Sequence, residues 1–276
     1  MKTCNVVEEK DFDDATVFTR DDGLQYCRSC GEARECIISL PNREYRKVSC
    51  FCQCLAEKQN REERQRKLVE RMDLISRYRS MGFCVDNEEI RNATLANDDG
   101  ARPEITEMIK GYLTHFDEMH RRGQGILFYG PVGTGKSFYA GCIFHGVIDL
   151  CKPALMTNLP RLINEINNEW GGKQNRIDRL GQYSLVVIDD LGVERNSDWN
   201  NEQVTMIVDA LHSAHVPMII TSNYGPQQLA DEKKIERKRI YDRILENCRP
   251  VPVIGESRRK QLGKGNYQWM KETIGV

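Results

Sequence analysis

Four short apolar runs punctuate the chain from residue 126 onward: Ile126 to Tyr129, Ala154 to Thr157, Leu185 to Ile188, and Val216 to Thr221. Each is continuous rather than alternating, which is how strands buried on both faces read. Helical stretches separate them, such as the one from Ser137 that places Phe138, Cys142 and Val147 on one side. Strands alternating with helices predict an α/β fold with a parallel sheet and a ligand site at the strands' carboxyl ends. The first half reads differently. Ile37 to Leu40, Pro41-Asn42 and Tyr45 to Ser49 predict a strand, a turn and a strand. From Leu55 to Arg79 helix formers dominate, and apolar residues appear at helical spacing only at Leu68, Met72 and Ile75. This predicts a solvated helix whose last turns dock. Its eight bases and five acids leave it at +3, which suits a charged connector or, alternatively, a helix that faces a partner or DNA. Gly82, Asn87, Asn92, the run Asn97-Asp98-Asp99-Gly100 and Pro103 then mark an irregular boundary, after which a second domain begins.

Composition narrows the class. The chain has 276 residues, 29% of them charged, with a formal net charge of −1. That length suits one nucleotide-binding-sized domain plus a small appendage, and the neutral balance restricts any nucleic-acid contact to local basic clusters. The first residues are acidic and lack an apolar core, which argues against a secretory leader, and no apolar run approaches the roughly 20 residues of a membrane span. A cytoplasmic protein without membrane contact is the expectation.

The most specific signal is Gly130-Pro131-Val132-Gly133-Thr134-Gly135-Lys136-Ser137-Phe138, directly after the Ile126 run. Glycines at this spacing let successive backbone N–H groups turn onto phosphate oxygens at the start of a helix. Lys136 can then reach the β- and γ-phosphates, and the Ser137 hydroxyl can take one coordination position of Mg²⁺. Asp189 and Asp190 end the Leu185 run. After a P-loop, such a pair suits water-mediated retention of Mg²⁺ by Asp189 and orientation or deprotonation of the attacking water by Asp190. Asn223, at the end of the next apolar run, can reach the γ-phosphate or its water.

Eleven cysteines would suggest disulfides in a secreted protein, but six fall between Cys27 and Cys54. A cytosolic cluster of this kind reads as metal binding. Cys27-x-x-Cys30-Gly31 is a zinc half-site, and Cys50-x-Cys52-x-Cys54 offers three thiols for the two remaining places. Spacing leaves that choice open; Cys36, at the start of an apolar run, is the weakest candidate. Four thiolates make a structural rather than a catalytic Zn²⁺ site.

Together these residues resemble the AAA+ family, specifically helicase loaders of the DnaC/DnaI type and the related IstB transposition ATPases. The likeness spans about Gly82 to Lys260. Its marks are Arg91-Asn-Ala-Thr94-Leu, the P-loop from Tyr129, Val187-Ile-Asp-Asp-Leu-Gly192, Thr221-Ser-Asn223 and Leu229. Arg239-Ile-Tyr-Asp-Arg243-Ile is similar to the family's arginine-finger segment. The resemblance implies that Arg243 crosses to a neighbouring subunit's γ-phosphate, with Arg239 one turn before it. Gly255-Glu-Ser257-Arg258-Arg259 is similar to the later Gly-x-Ser-x-Arg motif, which implies that Arg259 is the arginine contributed in cis. ATP as the nucleotide follows from the resemblance alone. The family's extra helix after the second strand fits Leu159 to Trp170 and Asn175 to Gln182, and Lys173, Arg176 and Arg179 give it a basic edge. Many members carry Glu where this chain has Asp190, so slow, partner-stimulated hydrolysis is expected.

The expectation is therefore a zinc-binding module over residues 1–60 that engages the hexameric replicative helicase, a helical linker over 61–100, and an AAA+ domain over 101–276 that self-associates and contacts single-stranded DNA in the primosome. Loaders of the DnaI type are similar in carrying a metal-bearing N-terminal domain, and IstB-type helpers usually have none. A transposase-associated regulator and a non-hydrolysing helicase adaptor are the alternatives.

Overall fold

A computed structural model describes residues 16–41, 44–83, 85, 87–168, 173–192, 198–232 and 234–275. They divide into two compact units between Asp73 and Leu74.

The first unit contains two antiparallel hairpins. Strand β1 (Val17–Thr19) pairs with β2 (Gln25–Cys27), and β3 (Glu35–Ser39) pairs with β4 (Tyr45–Ser49) in the register Glu35 to Ser49. The expected strand-turn-strand is thus present. Helix α1 (Gln53–Gly82) follows and runs for 30 residues through the division between the units. At its start, the Glu32 carboxylate accepts from the Gln53 N–H at 2.7 Å, which satisfies a backbone donor that a first helical turn leaves without a partner. Toward its end Ile75 and Tyr78 pack on the core of the second unit, whereas Leu68 and Met72 are 57% and 61% exposed.

The second unit continues with α2 (Glu88–Arg91), α3 (Pro103–Thr114), α4 (Phe116–Arg121), β5 (Gly125–Tyr129), α5 (Lys136–Asp149), β6 (Ala154–Asn158), α6 (Leu159–Asn167) and α7 (Lys173–Leu180). Then come β7 (Leu185–Leu191), α8 (Asp198–Ser213), β8 (Met218–Ser222), α9 (Pro226–Ala230), α10 (Ile235–Asn247), β9 (Cys248–Pro252) and α11 (Arg258–Ile274). The five strands form one sheet in the order β6-β7-β8-β5-β9, and every pairing is parallel. Successive residues of a strand face opposite sides, and the two cores follow that rule. Ile126, Phe128, Met156, Val187 and Ile219 belong to a cluster with α3 and α5. Leu127, Leu155, Val186, Ile188 and Ile220 belong to one with α6, α7, α8 and α10. Both faces are covered, which is why the runs are apolar throughout.

Strand β9 has no counterpart in the apolar runs. Its sequence, Cys-Arg-Pro-Val-Pro, carries two prolines, which demote a strand to an edge position; β9 is an edge strand, paired to β5 alone. Residues 74–100 also exceed what their composition suggests, because Phe83, Val85, Ile90, Ala93 and Leu95 all belong to or pack on the α3–α5 core. Trp170 lies outside the described residues.

Candidate nucleotide and metal sites

The chain leaves β5 at its carboxyl end and turns through Gly130 to Gly135 into α5, as a phosphate-binding loop requires. Gly133 and Gly135 have φ of +81° and +96°, in the left-handed region that side chains disfavour. A Cβ on Gly133 would also lie 2.2 Å from the Ser257 hydroxyl. The Thr134 hydroxyl donates to the Pro131 carbonyl at 3.0 Å and bridges the turn from within. Lys136 is buried, and its ammonium donates to the carbonyls of Gly130 and Pro131, each at 2.9 Å, and to Asn223 Oδ1 at 2.8 Å. Asn223 reaches it because β8 is the direct neighbour of β5.

The two carboxylates occupy an irregular stretch of β7. Pairing with β8 shifts register between Ile188 and Leu191, and Asp190 there has a φ of +63°, a conformation costing roughly 1 kcal/mol or more outside glycine. Its N–H donates to the Thr221 hydroxyl at 2.8 Å, which in turn donates to Asp189 Oδ1 at 2.7 Å. Burial pushes the Asp189 carboxyl above the usual range, opposed by hydrogen bonds from Ser137 and Thr221. A half-buried carboxylate beside the Ser137 hydroxyl and the Lys136 ammonium is a hard oxygen donor suited to Mg²⁺. Thus Lys136, Ser137, Asp189, Asp190 and Asn223, distant in sequence, meet on one cavity of about 480 Å³, which Val132, Gly133, Gly135 and Phe138 also line.

The cavity has walls that sequence reasoning did not identify. Val85 and Ile90, from the stretch read as a boundary, line one side of it together with Asn87, which caps α2 through its side chain. Asn158 of β6 lines it as well. Thr221 belongs to the Thr221-Ser-Asn223 run, but the spacing carries no sign of its bridge between the two aspartates. The arginine in the wall is Arg258: its N–H donates to the Gly133 carbonyl at 2.9 Å, and its guanidinium lies 5.3 Å from the centre of the Phe138 ring. The neighbouring Arg259 side chain lies outside the described residues, as do those of Lys173 and Arg176. Arg239 and Arg243, on α10, do not line the cavity. Arg239 is exposed, and Arg243 is ion-paired with Asp209 of α8.

In the first unit Cys27, Cys30, Cys52 and Cys54 place their sulfurs within 4.8 Å of one another. The Cys54 sulfur lies 3.3 Å from that of Cys52, 3.4 Å from Cys27 and 3.6 Å from Cys30. Tetrahedral ligands at a Zn–S distance of about 2.3 Å sit about 3.8 Å apart, so the quartet fits a zinc ion. The Cys50 thiol instead donates to the Ala33 carbonyl at 3.4 Å, and Cys36 lies in β3. The Gly31 N–H donates to the Cys27 carbonyl at 2.9 Å and closes the first knuckle, with Gly31 at φ +72°. Burial raises the Cys27 thiol, yet backbone N–H groups of Cys30 and Ser29 and the thiols of Cys54 and Cys52 outweigh it and bring the group down to about 6. Cys54 is pushed up, chiefly by its bonds to Cys52, Cys27 and Cys30. Buried Arg34 directs Nη1 at the Cys52 sulfur from 3.9 Å, a cation suited to the net charge of −2 that four thiolates and one Zn²⁺ would carry.

Residues 56–265 match the family described as IstB-like ATP binding protein. The chain belongs to that family. Among curated relatives, the replicative helicase loader DnaI of Bacillus subtilis is 22% identical over 58% of this chain and 55% of its own length. The replicative helicase loader DnaC of Buchnera aphidicola is 23% identical over 66% of this chain and 73% of its own. The chain thus spans about half of DnaI and about three quarters of that DnaC. A crystal structure of DnaI superposes with a TM-score of 0.54 at 24% identity, covering 66% of this IstB-like chain and 99% of that one. The second unit is accordingly an AAA+ fold. No helix among the described residues is long and apolar enough to cross a membrane.

Proposed function

We propose that this chain is an ATP-dependent loader that delivers a hexameric replicative DNA helicase onto single-stranded DNA. The observation that supports this most is the pairing of an AAA+ nucleotide cavity, with its aspartate pair, and a cysteine quartet of zinc-binding geometry in a separate unit. The relatives named helicase loaders point the same way.

In this reading Lys136 exchanges its carbonyl and amide partners for β- and γ-phosphate oxygens. Ser137 and Asp189 would hold Mg²⁺, which supplies charge neutralisation at those oxygens. Asp190 orients the attacking water, and Asn223 contacts the γ-phosphate side. Arg258, which lines the cavity, is a second candidate beside Arg259 for the arginine supplied in cis. The apolar wall of Val85, Ile90 and Phe138 receives the base. Arg243 acts on a neighbouring copy's nucleotide, with Arg239 beside it, so hydrolysis depends on self-association. Hydrolysis is slow because Asp190 is one methylene shorter than Glu. The four-cysteine module, structured by zinc, engages the helicase, and the α7 edge that includes Arg179 meets single-stranded DNA.

The test mixes the full chain with the host's hexameric helicase, with and without ATP and Mg²⁺. It reads the mass of the complex and helicase delivery onto single-stranded DNA coated with its binding protein. A stable complex whose ATP-linked delivery is lost on Lys136→Ala supports the loader. Absence of any complex overturns it and redirects the search to transposase partners. A complex whose delivery survives Asp190→Asn would instead be that of a passive adaptor.

A further inference from the structure

Two adjacent acids outside the expected site converge on the arginine in the cavity wall. Asp98 is nearly inaccessible, with 3% of its side chain exposed. It accepts from the Thr106 hydroxyl of α3 and, at 3.4 Å, from the Tyr139 hydroxyl of α5. Its Oδ1 lies 3.7 Å from Arg258 Nη2. Asp99 differs. Half of its side chain is exposed, and its Oδ1 accepts from Arg258 Nη2 at 2.8 Å and from the Ala101 N–H at 3.0 Å. Arg258 borders two cavities, the nucleotide cavity and a neighbouring one of about 530 Å³, and Asp99 lines only the latter.

We infer that these two carboxylates act on nucleotide binding in opposite senses, Asp98 as the fixed anchor of Arg258 and Asp99 as the exchangeable counter-ion that phosphate displaces. The inference rests on the proposed nucleotide role of the cavity. Its physical basis is the contrast in burial. A buried carboxylate left without its cation is costly, so Asp98 retains Arg258 whatever else binds. An ion pair to a half-exposed carboxylate is weak and is surrendered cheaply. Phosphate oxygens carry more charge than Asp99 and can take the guanidinium's outer edge, while Asp98 and the Phe138 ring hold its position. Asp98 is thus a positioning residue, and Asp99 sets the affinity by competition.

The experiment measures binding of a fluorescent ATP analogue with Mg²⁺ to the full chain and to Asp98→Asn, Asp99→Asn, Arg258→Ala and the double variant Asp98→Asn/Arg258→Ala. Asparagine can still accept from Thr106 at 98 and from Ala101 at 99, so each change removes the charge and spares those bonds, at the cost of the long Tyr139 contact at 98. Asp98→Asn is expected to weaken binding about tenfold and Asp99→Asn to tighten it about threefold, the range of one charge-assisted hydrogen bond. The Asp98→Asn loss should vanish in the Arg258→Ala background, as coupled partners require. Effects of the same sign for both acids, a full Asp98→Asn loss without Arg258, or an Asp99→Asn chain that binds no tighter than wild type each overturns the inference. Where Asp98→Asn fails to fold, Thr106→Val loosens the same anchor without stranding a charge, and its smaller loss must likewise vanish with Arg258→Ala. A wild-type chain that binds no analogue overturns the nucleotide reading itself. Binding that is lost on Lys136→Ala, with no opposed effects at 98 and 99, overturns only this inference.

Discussion

From Thr16 to Asp73 the buried apolar residues among those described are Val17 and three cysteines, Cys27, Cys50 and Cys52. The unit from Leu74 onward buries whole side chains on both faces of its sheet, including Leu127, Leu155, Ile207 and Leu211 on one and Phe128, Ile143 and Phe144 on the other. Burying each such side chain stabilises the fold by about 1.5–3 kcal/mol. The described residues of the first unit draw little on that source, and two short hairpins are marginal by themselves. The second unit thus has a packed sheet, and the first has a cysteine quartet whose geometry fits a staple by zinc. The difference teaches where a structural role for the cysteine quartet would matter most, in the unit whose described residues bury the least apolar surface.

The contrast breaks if metal removal leaves both units alike. Chelation, or Cys54→Ser, is expected to unfold the first unit, since structural zinc contributes on the order of 10 kcal/mol to such domains. Nucleotide binding by the second unit should survive. Zinc content, amide dispersion for the first unit and fluorescent-nucleotide binding for the second read the two separately, and joint collapse or joint indifference would remove the distinction. The converse change, Ile207→Ala in α8, should cost the second unit about 2–5 kcal/mol, seen as an earlier thermal transition at unchanged zinc content. A smaller effect sharpens the assignment of ligands. Cys50→Ser should leave one zinc per chain and cost about 1 kcal/mol or less, because its thiol lies outside the quartet and donates to the Ala33 carbonyl, a bond serine can keep. Loss of zinc from that variant would mean that Cys50 displaces one member of the quartet.

Much of the second unit was legible in the chain because its signals are local. The four apolar runs became four neighbouring strands, and the glycine spacing from Gly130 to Gly135 became the loop that spacing predicts. What escaped was non-local. Strand β9 was hidden by prolines that only an edge position tolerates. The Arg258 wall depends on the Ser257 cap, past which the Arg258 backbone N–H meets the Gly133 carbonyl, a contact that no spacing resolves. The Asp98-Asp99 run reads as turn chemistry until α3, α5 and α11 converge on it. In the first unit the knuckle at Cys27 and Cys30 was plain, but three thiols alternating along one strand-like segment left the rest open. That choice is made by the start of α1, which holds Cys54 in its first turn, and by the turn that brings Cys50 to Ala33.

The prolines of β9 also govern how this fold can meet copies of itself. The Val253 N–H, just past the strand, donates inward to Tyr129 at 2.8 Å. Pro250 and Pro252, offset from it by an odd number of residues, therefore sit where N–H groups would face away from the sheet, and proline has none to offer. An approaching strand finds no donors there, so the sheet cannot grow across that margin by main-chain pairing. Along this border the molecule is protected from edge-to-edge aggregation, and any association there would have to run through side chains rather than the main chain.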